Sequence, residues 1–284
     1  RPYLFRTRDY GASWQSLGQG LPADLLLWVL REDREDPDWL YLGTDRGIWH
    51  SRDAGAHWED LTLNLPRTTV TDLEVRHGDL VVATRGRSLW VLEGLAALRA
   101  LPQARSQALA LLPAIPGYRF REQSRWDFLV RGGQPNPPYG AVIHYWLGAQ
   151  AKGALSLEIL DAQGRTLRTL SSLARPPKYP EDDPDEPEEA PEPALAKEAG
   201  LRRAVWDLRL EGARRLAAKY DAGAPEAGPL ALPGRYTLRL RVDGQSVDGE
   251  VEVRADPRAP DSDALAANLA FALSLREALD RCAG

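Results

Sequence analysis

The stretch TRDYGASW, Thr7–Trp14, returns as SRDAGAHW, Ser51–Trp58, so the pattern [ST]-x-D-x-G-x-x-W is written twice with its aspartates 44 residues apart. A repeat at a fixed period constrains architecture strongly, because each copy must be one unit that buries its apolar face on the next. The echo continues beyond the motif. DLLLWVLRED (24–33) is answered by VTDLEVRHGD (70–79), and WLYLGTDRGIWHS (39–51) by LVVATRGRSLWVL (80–92). These are short runs rich in Leu, Val, Trp and Tyr, bounded by Gly, Asp or Pro, which is the pattern of short strands. Several strands per period fit a β-propeller blade, for which about 40–50 residues is usual.

The motif itself has a mechanical reading. A short carboxylate accepts hydrogen bonds from turn N–H groups, the glycine two residues later permits a positive φ, and the tryptophan folds back as an apolar plug. Thr7, Asp9, Gly11 and Trp14, and their counterparts Ser51, Asp53, Gly55 and Trp58, are therefore expected to be structural. A carboxylate whose lone pairs are all engaged is a poor acid or nucleophile.

Both octets resemble Asp-boxes, also called BNR repeats, which occur in sialidases, sortilin-type ectodomains and xyloglucanase-type glycoside hydrolases. VVATRGRSLWVLEGLAALRAL (81–101) is similar to the closing propeller strands of large bacterial sortilin-like proteins, some of them described as hydrolases. Relatives there often read T-H-G-R, where this chain has Thr84-Arg85-Gly86-Arg87. The resemblance implies that residues 1–97 are the last blades of an Asp-box propeller. A propeller closes with about four to eight blades, more than this stretch supplies. The chain also contains no Met and opens at Arg1 directly into strand-like sequence. It is thus expected to be an internal or C-terminal part of a longer protein, with the remaining blades on its N-terminal side as a partner.

The second half reads differently. Residues 98–117, LRALPQARSQALALLPAIPG, are expected to be a linker because of their Pro and Ala content. Strand patterns follow at 140–147, 155–170, 201–210 and 234–253; in the last, Tyr236, Leu238, Leu240 and Val242 alternate with polar residues before Asp243-Gly244 opens a hairpin turn. A β-sandwich is expected over 118–256. LEILDAQGRTLRTL, GLRRAVWDLR and PGRYTLRLRVDG resemble the Ig-like module of flagellar hook-cap type. Residues 174–200, rich in proline and acid, are expected to be a disordered insertion. Residues 257–284 are expected to form a helix, with Leu265, Leu269 and Leu273 on one side and Phe271, Leu275 and Leu279 on the next. The expected fold class is all-β: partial Asp-box propeller blades, an Ig-like sandwich and a C-terminal helix.

Charge and composition exclude several functions. Residues 181–192 hold eight acidic side chains and no basic one, so the formal charge of −5 becomes a weak positive balance without them. That balance is far below the footprint of a nucleic-acid binder. No apolar run approaches the roughly 18 residues of a membrane span, and no leader-like segment is present in this stretch. The single cysteine, Cys282, rules out an internal disulfide and a Cys-rich zinc site. His50, His57, His77 and His144 lack metal-ligand spacing, and no nucleotide or cofactor motif occurs.

A glycosidase needs two carboxylates flanking the scissile bond. The candidates outside the Asp-boxes are Asp45, in GTDRGIW, and the pair Asp72 and Glu74, expected on one strand face; turn capping and a solvated rim are the structural alternatives. Arg85 and Arg87 are candidates for gripping a carboxylate. Trp49 and Trp90, with Trp28 and Trp39, are candidates for stacking on a sugar or peptide, with core packing as the alternative. Two functions are carried forward. The first is an extracytoplasmic sortilin-like binding or scaffolding protein recognising peptide or glycan. The second is the accessory end of a sialidase- or xyloglucanase-like glycoside hydrolase. The location outside the cytoplasm comes from the resemblance alone.

Overall fold

The computed structural model describes residues 2–120, 138–173, 195–213, 227–258 and 262–283. The chain divides into two units, Arg1–Leu95 and Ala96–Gly284.

The first unit is a set of antiparallel sheets taken in chain order. Strands β1 (Phe5–Arg6) and β2 (Gln15–Ser16) form a ribbon; β3 (Leu27–Glu32), β4 (Leu40–Thr44), β5 (Gly47–Ser51) and β6 (Glu59–Asp60) form a four-stranded meander. Strands β7 (Val70–Arg76), β8 (Asp79–Thr84) and β9 (Leu89–Leu92) form a three-stranded one. The repetition seen in the sequence is repeated in the geometry. A β-bulge at Trp28 interrupts the β3–β4 register, and one at Thr71 interrupts β7–β8. In both sheets a threonine closes the following turn: Thr44 Oγ1 donates to the Gly47 carbonyl at 2.9 Å, and Thr84 Oγ1 to that of Ser88 at 2.7 Å. Leu40–Thr44 and Leu80–Thr84 thus hold the same place in successive sheets, as do Ile48-Trp49-His50 and Leu89-Trp90-Val91.

Alternation along these strands gives each sheet two faces. One face of the four-stranded sheet, Leu40 and Leu42 with the half-buried Leu30 and Trp49, packs on Leu17, Leu21, Leu25 and Trp58. The other face carries Tyr41, Ile48 and His50, all buried. Gly43 lies on this second face, and a Cβ there would sit 2.6 Å from Val29 Cγ1 and 2.7 Å from Val70 Cγ1. Val70 opens the next sheet, so the missing side chain lets the two sheets approach. Leu73, Leu80 and Val82 are almost wholly buried, each contributing about 1.5–3 kcal/mol relative to exposure.

In the second unit, α1 (Leu95–Ala104) leads into β10 (Leu109–Leu111), β11 (Gly117–Arg119), β12 (Ala141–Leu147), β13 (Ser156–Leu160) and β14 (Thr166–Ser171). Strands β15 (Gly200–Trp206), β16 (Gly234–Val242) and β17 (Gln245–Ala255) and helix α2 (Ser262–Ala283) complete it. Two sheets, ordered β10-β12-β15 and β11-β17-β16-β13-β14, share one core. Ile143, Tyr145 and Trp206 enter it from the first sheet, and Leu157, Ile159, Leu238, Leu240 and Val253 from the second. The β16–β17 turn has Asp243 at φ 48° and Gly244 at φ 79°, the conformation an Asp-Gly hairpin favours. The Asp243 carboxylate also accepts the Lys152 and Gly153 N–H groups at 2.9 and 2.7 Å.

Two sequence expectations need correction. Residues 98–117 are not a linker: they contain most of α1, all of β10 and the start of β11. Ala97, Leu101 and Ala104 recur at helical spacing and pack with Ala110, Leu112 and Trp146; Pro102, inside the helix, obscured that period. The insertion 174–200 ends early, because Leu195 is buried in the shared core and its N–H bonds the Ser171 carbonyl at 3.1 Å. Residues 174–194 lie outside the described residues. The expected C-terminal helix is present as α2, with Leu269 and Leu273 packed on the core and Phe271, Leu275 and Leu279 exposed.

Candidate functional site

The turns after β4 and β8, and the chain entering β3 and β7, lie at one end of the first unit; the turns of the [ST]-x-D-x-G-x-x-W motifs lie at the other. At the first end, Asp45 and Arg85 are structural equivalents. Asp45 N–H donates to the Leu26 carbonyl at 3.0 Å, and Arg85 N–H to the Thr69 carbonyl at 2.8 Å. The Asp45 carboxylate returns the contact by accepting the Leu26 N–H at 3.0 Å, and its other oxygen lies 3.3 Å from Arg46 Nε. Asp45 is therefore engaged in its turn. Arg46 also holds Asp24 at 2.5 Å, and that bond foremost keeps the Asp24 carboxyl below its ordinary range.

Where the second sheet has arginine instead of aspartate, the side chain does something different. The Arg85 guanidinium lies over the Trp28 ring, 5.0 Å from its centroid, a cation–π geometry. Trp28 is the bulge residue of β3 and is 48% exposed. The bulge aims its indole out of the sheet rather than into a core. Among the described residues no carboxylate lies within ion-pair distance of Arg85 or Arg87. Arg87 closes the same turn through its backbone N–H to Thr84 Oγ1 at 3.1 Å, and the residue is exposed to solvent. This end thus combines an exposed indole with two uncommitted guanidiniums, together suited to a ligand carrying an anionic group beside an apolar or ring surface.

The remaining candidates separate from it. Asp72 and Glu74 share the exposed face of β7, since Leu73 and Val75, which alternate with them, are buried. Asp72 pairs with Arg31 at 2.6 Å and Glu74 with Arg34 at 2.9 Å, both pairs exposed to solvent. Trp49 packs against the leucine cluster, and Trp90 donates Nε1–H to the Arg87 carbonyl at 2.7 Å. These two indoles hold equivalent positions and serve packing and turn geometry. Trp39 is buried and stacks on His50.

At the opposite end the two motif turns are built alike. Asp9 Oδ1 accepts the Ser13 N–H and Asp53 Oδ1 the His57 N–H, each at 2.8 Å. Thr7 Oγ1 and Ser51 Oγ each donate to that same oxygen at 2.8 Å and accept the Gly11 or Gly55 N–H at 2.8 Å. Bonds from the Ser13 hydroxyl and N–H hold the Asp9 carboxyl at about 2. Burial raises the Asp53 carboxyl, but bonds from the His57 N–H, the His57 ring and Ser51 outweigh it and bring it to about 2. The tryptophans differ. Trp58 is buried and donates Nε1–H to the Leu17 carbonyl at 2.8 Å. Trp14 is 63% exposed and plugs nothing, contrary to expectation.

Beside the second motif turn lies a cavity of about 220 Å³ lined by His50, Arg52, Asp53, His57 and Glu59. Its charges are largely satisfied internally: Arg52 holds Glu59 at 2.6 Å, and the His57 ring holds Asp53 at 2.6 Å. Burial lowers the affinity of His50 for a proton, with Glu59, 3.6 Å from Nε2, opposing it. Among the described residues no group of three or more His, Cys, Asp or Glu side chains is placed to hold a metal ion. No helix among them is long and apolar enough to cross a membrane.

Sequence reasoning named Arg85 and Arg87 but not their relation to Trp28. The signal was available: TDRG and TRGR occupy matching places after a strand ending in Thr, so Arg85 stands where Asp45 stands. Comparison with protein-family models, with curated proteins and with solved structures returns no match.

Proposed function

We propose that the first unit is a group of Asp-box propeller blades whose turn end recognises an acidic peptide or glycan, in a sortilin-like binding or scaffolding protein acting outside the cytoplasm. The observation that carries the recognition reading is the Arg85 guanidinium, stacked on the half-exposed Trp28 without a carboxylate of its own. A free guanidinium and an indole face offer charge and stacking area together, which an acidic sugar or a peptide with a free carboxylate can use at once. The four-stranded meander, with the second motif turn between its last two strands, supports the blade reading. The second unit, two sheets on one core, is proposed to be an Ig-like module. Further blades are its proposed partners.

Binding is preferred to catalysis because each candidate carboxylate is already engaged: Asp45 by its turn and Arg46, Asp72 by Arg31, and Glu74 by Arg34. The test is a screen of the chain on arrays of acidic and neutral glycans and of peptides with free and amidated C-termini. Retention of anionic members, lost in Arg85→Gln, supports the reading. Retention that ignores charge, or no retention, refutes it.

A further inference from the structure

We infer that the exposed face of the β7–β8–β9 sheet is a docking surface for one more sheet of the same repeat, which also supplies β9 with a fourth strand. This rests on the blade reading above and identifies the face, the contact residues and the chemistry of the partner.

The first unit contains its own template. In the four-stranded sheet, β4 and β5 place Tyr41 opposite His50 and Gly43 opposite Ile48. The next sheet covers this face: Tyr41, Ile48 and His50 are 0%, 4% and 6% exposed, and Val70 reaches the space above Gly43. In the three-stranded sheet the same places are taken by Val81 opposite Val91 and Ala83 opposite Leu89. Here Leu89 is 69% and Val91 55% exposed. A patch of Leu and Val at positions buried in the preceding copy is an interface without its partner, not ordinary surface.

The edge gives a second, independent indication. Strand β5 pairs on its outer side with β6, through Trp49 opposite Asp60 and His50 opposite Glu59. Strand β9, its equivalent, pairs only with β8 among the described residues. An unpaired edge beside an uncovered apolar face fits a partner that adds both a strand and a sheet. The occupant must therefore present a short strand along Trp90 and Val91. It must also present an apolar sheet face led by a β-branched residue in the role of Val70, set against Ala83. Ala83 carries the methyl that Gly43 lacks and leaves less room, so this residue can be no larger than Val70 itself.

The test is thiol labelling at this face. A Val91→Cys variant in a Cys282→Ser background is made both as the isolated 284-residue chain and as the gene product in its source cells. Labelling should be at least roughly tenfold slower in the cell-made protein, and a short cross-linker placed at position 91 should capture a peptide adjoining another [ST]-x-D-x-G-x-x-W motif. Leu89→Cys serves as a second reporter should the first variant fold poorly. Equal labelling in the two proteins overturns the inference. So does protection of the isolated chain that disappears on dilution, since the occupant is then a second copy, and so does a cross-link into residues 96–284. Ligand binding at Trp28 and Arg85 is read separately, so failure of the recognition reading is distinguishable from failure of this one.

Discussion

Trp58 donates its indole N–H to the backbone carbonyl of Leu17, 2.8 Å away and 41 residues earlier, so the second motif turn is riveted to the chain leaving the first. Trp14, its counterpart one repeat earlier, is 63% exposed. Two tryptophans in the same motif therefore have different energetic weight. Trp58→Ala is expected to destabilise the first unit by about 3–5 kcal/mol, while Trp14→Ala should change stability by less than about 0.5 kcal/mol. Urea titration of both variants checks the difference; equal losses would contradict the packing described.

Asp53 anchors its turn with bonds from the His57 N–H, the His57 ring and Ser51. Its carboxyl sits at about 2 in the folded chain, below the usual 3.8. A depressed carboxylate contributes stability fully above its unfolded value and loses it as pH falls toward the folded value. The window is therefore pH 4 down to 2. Asp53→Asn should cost about 1 kcal/mol near neutrality, a modest figure because the side chain is partly solvated, and the cost should shrink on acidification through that window. A cost independent of pH would show that the charge is immaterial to the turn.

His50 is buried, and burial holds it below its ordinary range. The unfolded chain then takes up a proton more readily than the folded one as pH falls below about 6.5. Stability should be complete above that value and decline on further acidification. His144, also buried, is shifted the same way for the same reason. His50→Gln should flatten the fall between pH 7 and 5 by part, leaving the share of His144. Denaturation midpoints across that range decide it, and an unchanged slope in His50→Gln would contradict the buried neutral ring.

Gly43→Ala places a methyl between Val29 and Val70, each under 3 Å from its position. Overpacking of this kind costs about 1–3 kcal/mol. Ala83, the equivalent residue of the next sheet, already carries that methyl, so Ala83→Gly in the isolated chain should act mainly through backbone entropy, at about 0.5–1 kcal/mol. Calorimetry on the two variants separates the cases.

The parts of the structure legible in the sequence are those fixed by local chemistry. The two motif turns close through bonds spanning no more than four residues, and the Asp243-Gly244 hairpin is equally local. Alternation was enough to place Asp72 and Glu74 on one face. Their partners, Arg31 and Arg34, are 41 and 40 residues away, and no short-range pattern names them. The exposure of Trp14 was hidden because identical motifs imply identical surroundings only when their neighbours also repeat. Helix α1 was missed because Pro102 and the alanines resemble a connector until Trp146, from a distant strand, gives the apolar stripe something to cover. The parallel pairing of β11 with β17 joins residues more than 130 apart and has no local signature.

The central claim is that Arg85, carried on the Trp28 indole, binds an anionic ligand group. Titration of the tightest array ligand into the wild-type chain, Arg85→Gln and Trp28→Ala tests it most directly. Each substitution should weaken binding about tenfold or more without altering thermal stability, and added salt should weaken wild-type binding more than that of Arg85→Gln. Equal affinity in all three proteins, with the same salt dependence, would contradict the account.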